Sequence, residues 1–261
     1  MAHQTLNITL LQTHIVWEDR AANLEHYEAL IGSIQDKKEV VLLPEMFNTG
    51  FSMAPDRLAE PMDGPTVHWM KAMAAQYRCI LCGSLIIEEN GKYFNRLLWV
   101  QPDGNIGIYD KRHLFGYAGE DASFSAGNRR LIAQVKGWRI CLLVCYDLRF
   151  PVWARNCNEE YDVLVYVANW PERRSLAWKT LLQARAIENM SYVVGLNRVG
   201  KDGMDINYSG DSLVYGPLGD LLWHEGGGRE AVHTISLSYD TLQQSRAQFP
   251  FSKDADKFTL L

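Results

Sequence analysis

Cys145 closes the apolar run Arg139-Ile140-Cys141-Leu142-Leu143-Val144, and Tyr146-Asp147-Leu148-Arg149-Phe150-Pro151 follows at once. A strand that ends in a thiol, then a sharp turn and a helix start, is how a fold presents a nucleophile. Two further apolar runs end in reactive groups. Val40-Val41-Leu42-Leu43-Pro44 delivers Glu45, and Ile106-Gly107-Ile108-Tyr109-Asp110 delivers Lys111. A thiol, a carboxylate and an amine at three strand ends suit acyl transfer. A partly desolvated Glu45 is a fit base for the thiol proton. Lys111 can hold a developing oxyanion and help protonate a leaving amine. Backbone N–H groups after Cys145 are expected to lower the thiol pKa and to bind the same oxyanion. Singly, each residue also has a plainer reading: Cys145 as a buried strand thiol like Cys141, Glu45 as a solvated loop carboxylate, Lys111 as a surface amine.

The elements that must position these groups alternate between strand and helix. Leu6 to Leu11 reads as a strand. Arg20 to Lys37 reads as an amphipathic helix with Leu24, Tyr27, Leu30, Ile31 and Ile34 on one stripe. Val40 to Leu43 is a second strand, and Pro65 to Tyr77 a second helix with proline in its first turn. Three strands are expected between Arg78 and Tyr109, divided at Asn90-Gly91 and Pro102-Asp103-Gly104-Asn105. A polar loop from Lys111 to Arg129 precedes strands at 130–135 and 139–144. Then come a short helix at 151–160, a strand at 162–168 and a long helix at 172–190. Strands are expected again at 192–196, 211–215, 220–223 and 231–237. The tail from Thr241 to Leu261 reads as a mixed extension of one domain spanning 1–261. Strand–helix–strand units mixed with hairpins suit sheets covered by helices. Two stacked sheets fit the strand number, and so does one large mixed sheet.

The bulk properties exclude several classes. At 261 residues the chain is near the upper size for one core, enough to bury roughly 70–75% of its unfolded surface. A net charge of −5 offers no basic field, so neither nucleic acid nor an anionic membrane is an expected partner. No apolar run reaches the length of a spanning helix, and Met1-Ala2-His3-Gln4-Thr5 does not open a secretory signal. Five cysteines, an odd number, suit reduced thiols in the cytoplasm. Cys79 and Cys82 form a C-x-x-C, yet positions three apart on a strand face opposite ways and no second pair with zinc spacing exists, so no metal is expected.

Leu43-Pro44-Glu45, Asp110-Lys111-Arg112-His113-Leu114 and Val144-Cys145-Tyr146-Asp147-Leu148-Arg149-Phe150-Pro151 together resemble, in order and spacing, the three signatures of the nitrilase superfamily of carbon–nitrogen hydrolases. The resemblance implies a four-layer αββα sandwich with two stacked mixed sheets and helices outside. It implies a Glu45–Lys111–Cys145 triad, no cofactor, and a cytosolic homodimer or higher homo-oligomer. It adds Glu120, in Gly119-Glu120-Asp121-Ala122, as a second carboxylate beside the lysine. Tyr146-Asp147 after the cysteine is similar to the amidase-like branches, where nitrile-hydrolysing members carry tryptophan and glutamate. The runs 169–174, 178–189 and 209–212 are similar to bacterial omega-amidases. Those act on the terminal amide of 2-oxo-dicarboxylate monoamides such as 2-oxoglutaramate and 2-oxosuccinamate. Met190 departs from the glutamine often found there.

In the implied reaction Glu45 deprotonates Cys145, and Lys111 with the Tyr146 backbone N–H holds the oxyanion. Ammonia leaves a thioester that water then cleaves. A small anionic substrate needs a cation, and Arg149 and Arg173 are the candidates; Arg149 could instead pair with Asp147. Phe47, Tyr117 and Trp170 are expected to wall the pocket or to belong to core or interface. Three other readings stand beside this one. Deaminated glutathione or an N-carbamoyl amine is an alternative substrate within the family. A Cys-His hydrolase with His113 as base, or an inert metabolite-binding sandwich, is an alternative outside it.

Overall fold

The computed structural model describes residues 4–256, 258 and 259. In chain order its strands are β1 (Thr5–Gln12), β2 (Val40–Leu42), β3 (Ile80–Glu89), β4 (Lys92–Val100), β5 (Ile106–Asp110), β6 (Leu131–Val135) and β7 (Trp138–Val144). They continue as β8 (Val163–Val167), β9 (Tyr192–Leu196), β10 (Val199–Lys201), β11 (Asn207–Ser209), β12 (Ser212–Tyr215), β13 (Leu221–Glu225) and β14 (Ala231–Ser238). The helices are α1 (Arg20–Ser33), α2 (Pro55–Leu58), α3 (Pro65–Tyr77), α4 (Glu120–Ser123), α5 (Pro151–Ala154), α6 (Ser175–Asn189) and α7 (Tyr239–Gln248).

Two six-stranded sheets result, in the orders β14-β1-β2-β3-β4-β5 and β13-β12-β9-β8-β7-β6, with β10 and β11 as a separate hairpin. The central strands of each sheet run parallel and the outer ones antiparallel. Side-chain alternation separates the layers. Val40, Leu42, Ile80 and Cys82 face the second sheet, whereas Val41 and Leu81 face α1 and α3 through Tyr27, Ile31, Val67 and Met70. Strand β8, Val-Leu-Val-Tyr-Val, is buried along its whole length, as a strand covered on both faces must be. Helix α6 covers the second sheet through Trp178, Leu182 and Ala186. The result is the αββα sandwich.

The departures from the expected elements are local. Helix α1 stops at Ser33 because Ile34 turns extended, and the charged run after it offers no further apolar stripe. The helix expected over 151–160 breaks after Ala154. Asn156 exchanges two hydrogen bonds with the Tyr161 backbone, which competes with helix, and Asn158 adopts φ 54. The helix expected from 172 opens with a 3₁₀ turn at Glu172–Arg174. The β10–β11 hairpin is unexpected from the sequence, as is α4 inside the 111–129 loop. The segment read as an extension begins inside α7, which is docked by buried Leu242 and by Arg246, the latter pairing with Asp162 at 3.0 Å. That segment also includes Lys257, Leu260 and Leu261, which lie outside the described residues.

Candidate active site

Lys111 and Cys145 directly follow the last residue of a strand, and Glu45 lies three residues beyond one. Glu45 sits in the turn after β2. That turn lies on β3, where the Met46 N–H donates to Ser84 Oγ at 2.9 Å and the Leu43 N–H to the Cys82 carbonyl at 2.7 Å. The approach is close enough that a Cβ on Gly83 would lie 2.8 Å from Leu43 Cβ, so only glycine fits there. Lys111 follows β5, and its backbone N–H donates to the Asn95 carbonyl on β4. Cys145 follows β7 in a left-handed conformation, φ 44, and opens a 3₁₀ turn over Cys145–Arg149. A non-glycine residue held there is strained, a recurrent property of residues at functional turns.

The side chains converge. Lys111 Nζ donates to Glu45 Oε1 at 2.9 Å and to Glu120 Oε1 and Oε2 at 3.0 and 2.8 Å. The side chains of Lys111, Glu45 and Glu120 have no solvent exposure. Burial alone would depress the Lys111 pKa. The charges of Glu120 and then Glu45 outweigh it and hold the amine well above its ordinary value. Burial raises the Glu120 carboxyl, with Lys111 opposing. Its oxygens nonetheless accept from Asn95, from Lys111 and, at 2.6 Å, from the Phe115 N–H, so it is held as an anion.

Cys145 is 9% exposed and its thiol donates to the Asn169 carbonyl at 3.9 Å. Burial first, then the negative charge of Glu45, pushes its pKa well above that of an ordinary thiol, with Lys111 pulling the other way. The expectation of a lowered pKa from the following turn is therefore corrected: burial and a facing carboxylate dominate. The proton stays on sulfur at rest, which suits a base that removes it only during attack. Glu45 Oε2 accepts the Asn169 N–H at 2.9 Å.

A cavity of about 680 Å³ opens over this group, and Lys111, Cys145, Tyr146, Arg149, Arg173, Tyr117 and Trp170 all line it. Phe47 does not. It is fully buried against Tyr27 and Trp69 on the outer face of the first sheet, because the Glu45 turn carries it away from the opening. Phe51, four residues on, takes the wall position, with its ring 5.2 Å from Lys111 Nζ. Arg149 is exposed and lies over the Trp170 ring at 5.1 Å; it makes no ion pair with Asp147, whose oxygens are taken by other donors. Arg174, which the sequence did not single out, also lines the cavity over Phe115. Burial, then the charge of Arg173, lowers its pKa. Among the described residues none of these three arginines has a carboxylate within ion-pair distance.

The competing base and the paired cysteines have definite places too. His113 Nδ1 is bound to Asp147 at 2.8 Å and its ring stacks on Phe150 at 3.8 Å, so it is engaged away from the thiol. Cys79 and Cys82 fall in hydrophobic clusters on opposite faces of the first sheet, and burial raises both thiols, Cys79 to about 11. Among the described residues no group of three or more His, Cys, Asp or Glu is arranged to hold a metal, and no helix is long and apolar enough to cross a membrane. Asn95 was missed. Its Nδ2 donates to Glu45 Oε1 at 2.8 Å and to Glu120 Oε1 at 2.9 Å. The available signal was a lone amide on the inward face it shares with Leu97 and Trp99.

A two-sheet sandwich with acid, amine and thiol under one opening is the layout of hydrolases that cut carbon–nitrogen bonds. The chain belongs to the carbon–nitrogen hydrolase family, whose profile matches residues 7–247. It is 46% identical to omega-amidase YafV of Escherichia coli over 255 residues, covering 98% of each chain. It is 32% identical to a 2-oxoglutaramate amidase of Bacillus subtilis, covering 96% of this chain and 97% of that one. Among solved structures it is similar to XC1258 of Xanthomonas campestris, a CN-hydrolase superfamily protein with an arsenic adduct in its active site. The TM-score is 0.96 at 44% identity, covering 99% of this chain and 100% of that one.

Proposed function

We propose that this chain is an omega-amidase. It hydrolyses the terminal amide of short 2-oxo-dicarboxylate monoamides, 2-oxoglutaramate and 2-oxosuccinamate, to the acid and ammonia through a Cys145 thioester. The observation that carries the reading is the buried Lys111 ammonium, hydrogen-bonded to Glu45 and Glu120 beside Cys145 at the base of an arginine-rimmed cavity. The likeness to relatives named omega-amidase and 2-oxoglutaramate amidase supports the substrate class.

The sulfur attacks the amide carbon while Glu45 takes its proton. Lys111 and the Tyr146 backbone N–H steady the oxyanion, and loss of one such donor typically costs about 3–4 kcal/mol. Glu45 returns the proton to nitrogen, the C–N bond breaks and ammonia departs. Water then attacks the thioester, Glu45 takes its proton, and the thiol is restored as the acid leaves. Glu120 keeps Lys111 charged and aimed. Arg149, Arg173 and Arg174 supply the cationic field that a substrate carboxylate requires, and Tyr117 and Trp170 wall the cavity. A cytoplasmic homodimer or higher homo-oligomer belongs to the same reading. The oligomeric part of it is supported by exposed Val152 and Leu176 on the helices that follow Arg149 and Arg174, and sedimentation velocity tests that part.

The decisive experiment is ammonia release across 2-oxoglutaramate, 2-oxosuccinamate, glutamine and butyramide, with mass spectrometry for an acyl group on Cys145. Fast turnover of the 2-oxo amides with a transient acyl-enzyme supports the proposal. Turnover confined to the neutral amide defeats it. The cavity volume favours one second reading, a longer amide such as deaminated glutathione, since about 300–1,000 Å³ is the usual space for a ligand of drug size.

A further inference from the structure

We propose that Asp147 is a positioning residue that straps the lysine segment of one sheet to the cysteine turn of the other, and so sets the distance between Lys111 and Cys145. The inference rests on the acyl-transfer reading of that site but not on the identity of the amide.

Asp147 is fully buried and all four hydrogen bonds of its carboxylate go to neighbours of the two reactive groups. Oδ2 accepts the Tyr109 hydroxyl at 2.7 Å and the Val144 N–H at 3.0 Å. Oδ1 accepts the His113 backbone N–H at 3.1 Å and His113 Nδ1 at 2.8 Å. Tyr109 and His113 flank Lys111 by two residues on either side. Val144 and Asp147 flank Cys145. One rigid carboxylate thus closes a ring through both segments, and the ring crosses from the first sheet to the second.

The donors are fixed in turn. Trp153 Nε1 donates to the Tyr109 oxygen at 3.0 Å, and the Arg112 N–H does so at 3.3 Å. Burial, then the Asp147 charge, raises the Tyr109 phenol far above its ordinary value, so its O–H remains a donor at every working pH. The His113 ring is clamped by Phe150, which belongs to the same turn as Cys145. A backbone in the left-handed region, as at Cys145, needs surroundings that over-determine it. The bond from the Val144 N–H to Asp147 supplies that constraint immediately before the thiol. Asp147 touches neither sulfur nor ammonium, so its action is on their separation.

The test uses the full chain with Asp147→Asn and, as a milder cut, Tyr109→Phe. Asparagine keeps the shape but offers one acceptor atom where the carboxylate offers two. The expected result is a loss of about a hundredfold in kcat with KM within about twofold, since a displacement near 1 Å costs on that order. Acylation of Cys145 by p-nitrophenyl acetate should slow in parallel. A drop in Tm with kcat unchanged at a temperature where both proteins are folded would assign Asp147 a purely structural role and overturn the proposal. So would wild-type kinetics in both variants. If Asp147→Asn fails to fold, Tyr109→Phe decides: unchanged kcat and unchanged acylation defeat the strap. The ester arm keeps the two proposals apart. A wild-type enzyme that accepts the ester but not 2-oxoglutaramate removes the substrate assignment and leaves the strap test intact.

Discussion

Both oxygens of Glu120 face the Lys111 ammonium, at 2.8 and 3.0 Å, and neither side chain reaches solvent. With Glu45 on the same nitrogen, two buried carboxylates share one buried cation. Removal of the cation from such a set leaves both carboxylates uncompensated.

That geometry predicts a large stability cost for Lys111→Met, about 3–5 kcal/mol by urea unfolding, because two facing carboxylates lose their counter-ion. Adding Glu120→Gln to Lys111→Met should recover part of the loss. A cost under about 1 kcal/mol for the single variant would contradict a buried, charged trio.

Cys145→Ala should reduce ammonia release to background while the melting temperature stays close to that of the wild type. Alanine inherits the same left-handed backbone at no new steric cost, and the neighbouring hydrogen bonds do not depend on sulfur. Near-normal turnover by this variant would exclude the thioester route.

The thiol titration has a definite sign. Burial and then the Glu45 charge hold Cys145 protonated above the ordinary thiol range. Glu45→Gln removes the second cause, so the thiolate should form at lower pH in that variant than in the wild type, even as turnover collapses. Thiolate absorbance followed across an alkaline pH series measures this. An unchanged midpoint would mean that Glu45 does not act on the sulfur.

Arg149→Ala and Arg174→Ala test the cationic rim. A charge-assisted contact to the substrate carboxylate predicts a loss of roughly tenfold to a hundredfold in kcat/KM for 2-oxoglutaramate, with butyramide within about twofold of wild type. Equal losses on both amides would argue against a carboxylate clamp.

Asp211 carries a separate pH dependence. Burial would raise its carboxyl, but hydrogen bonds from Ser175, Ser209 and His224, with Lys179 nearby, hold it down to about 2. A depressed folded-state pKa contributes stability above the unfolded value, near 3.9, and loses it as pH falls toward 2. The stability gap between wild type and Asp211→Asn should therefore be full above about pH 4 and narrow between 4 and 2. A gap independent of pH in chemical unfolding would refute the assignment.

The strand ends were legible because an apolar run that stops at a charged or sulfur-bearing residue marks both a strand and what it delivers. Glu45, Lys111 and Cys145 were singled out in that way, and Glu120 only through the family pattern. What escaped lay in partners remote in sequence. Asn95 is fifty residues from Glu45 and Asp147 thirty-eight from Tyr109, and no local periodicity records either pairing. Phe47 and Phe51 differ only in where a turn points them. The β10–β11 hairpin is three residues a side, too short for alternation to register.

Lys111 has three N–H bonds and three carboxylate oxygens to serve, so no donor is held in reserve for an incoming substrate. Under the proposed chemistry Glu45 is neutral once it has captured the thiol's proton, and its claim on the ammonium weakens at that moment. The donor released then becomes free as negative charge builds on the amide oxygen. Under the proposed chemistry the acid's own neutralisation schedules the amine's help, and a single proton hop performs both tasks.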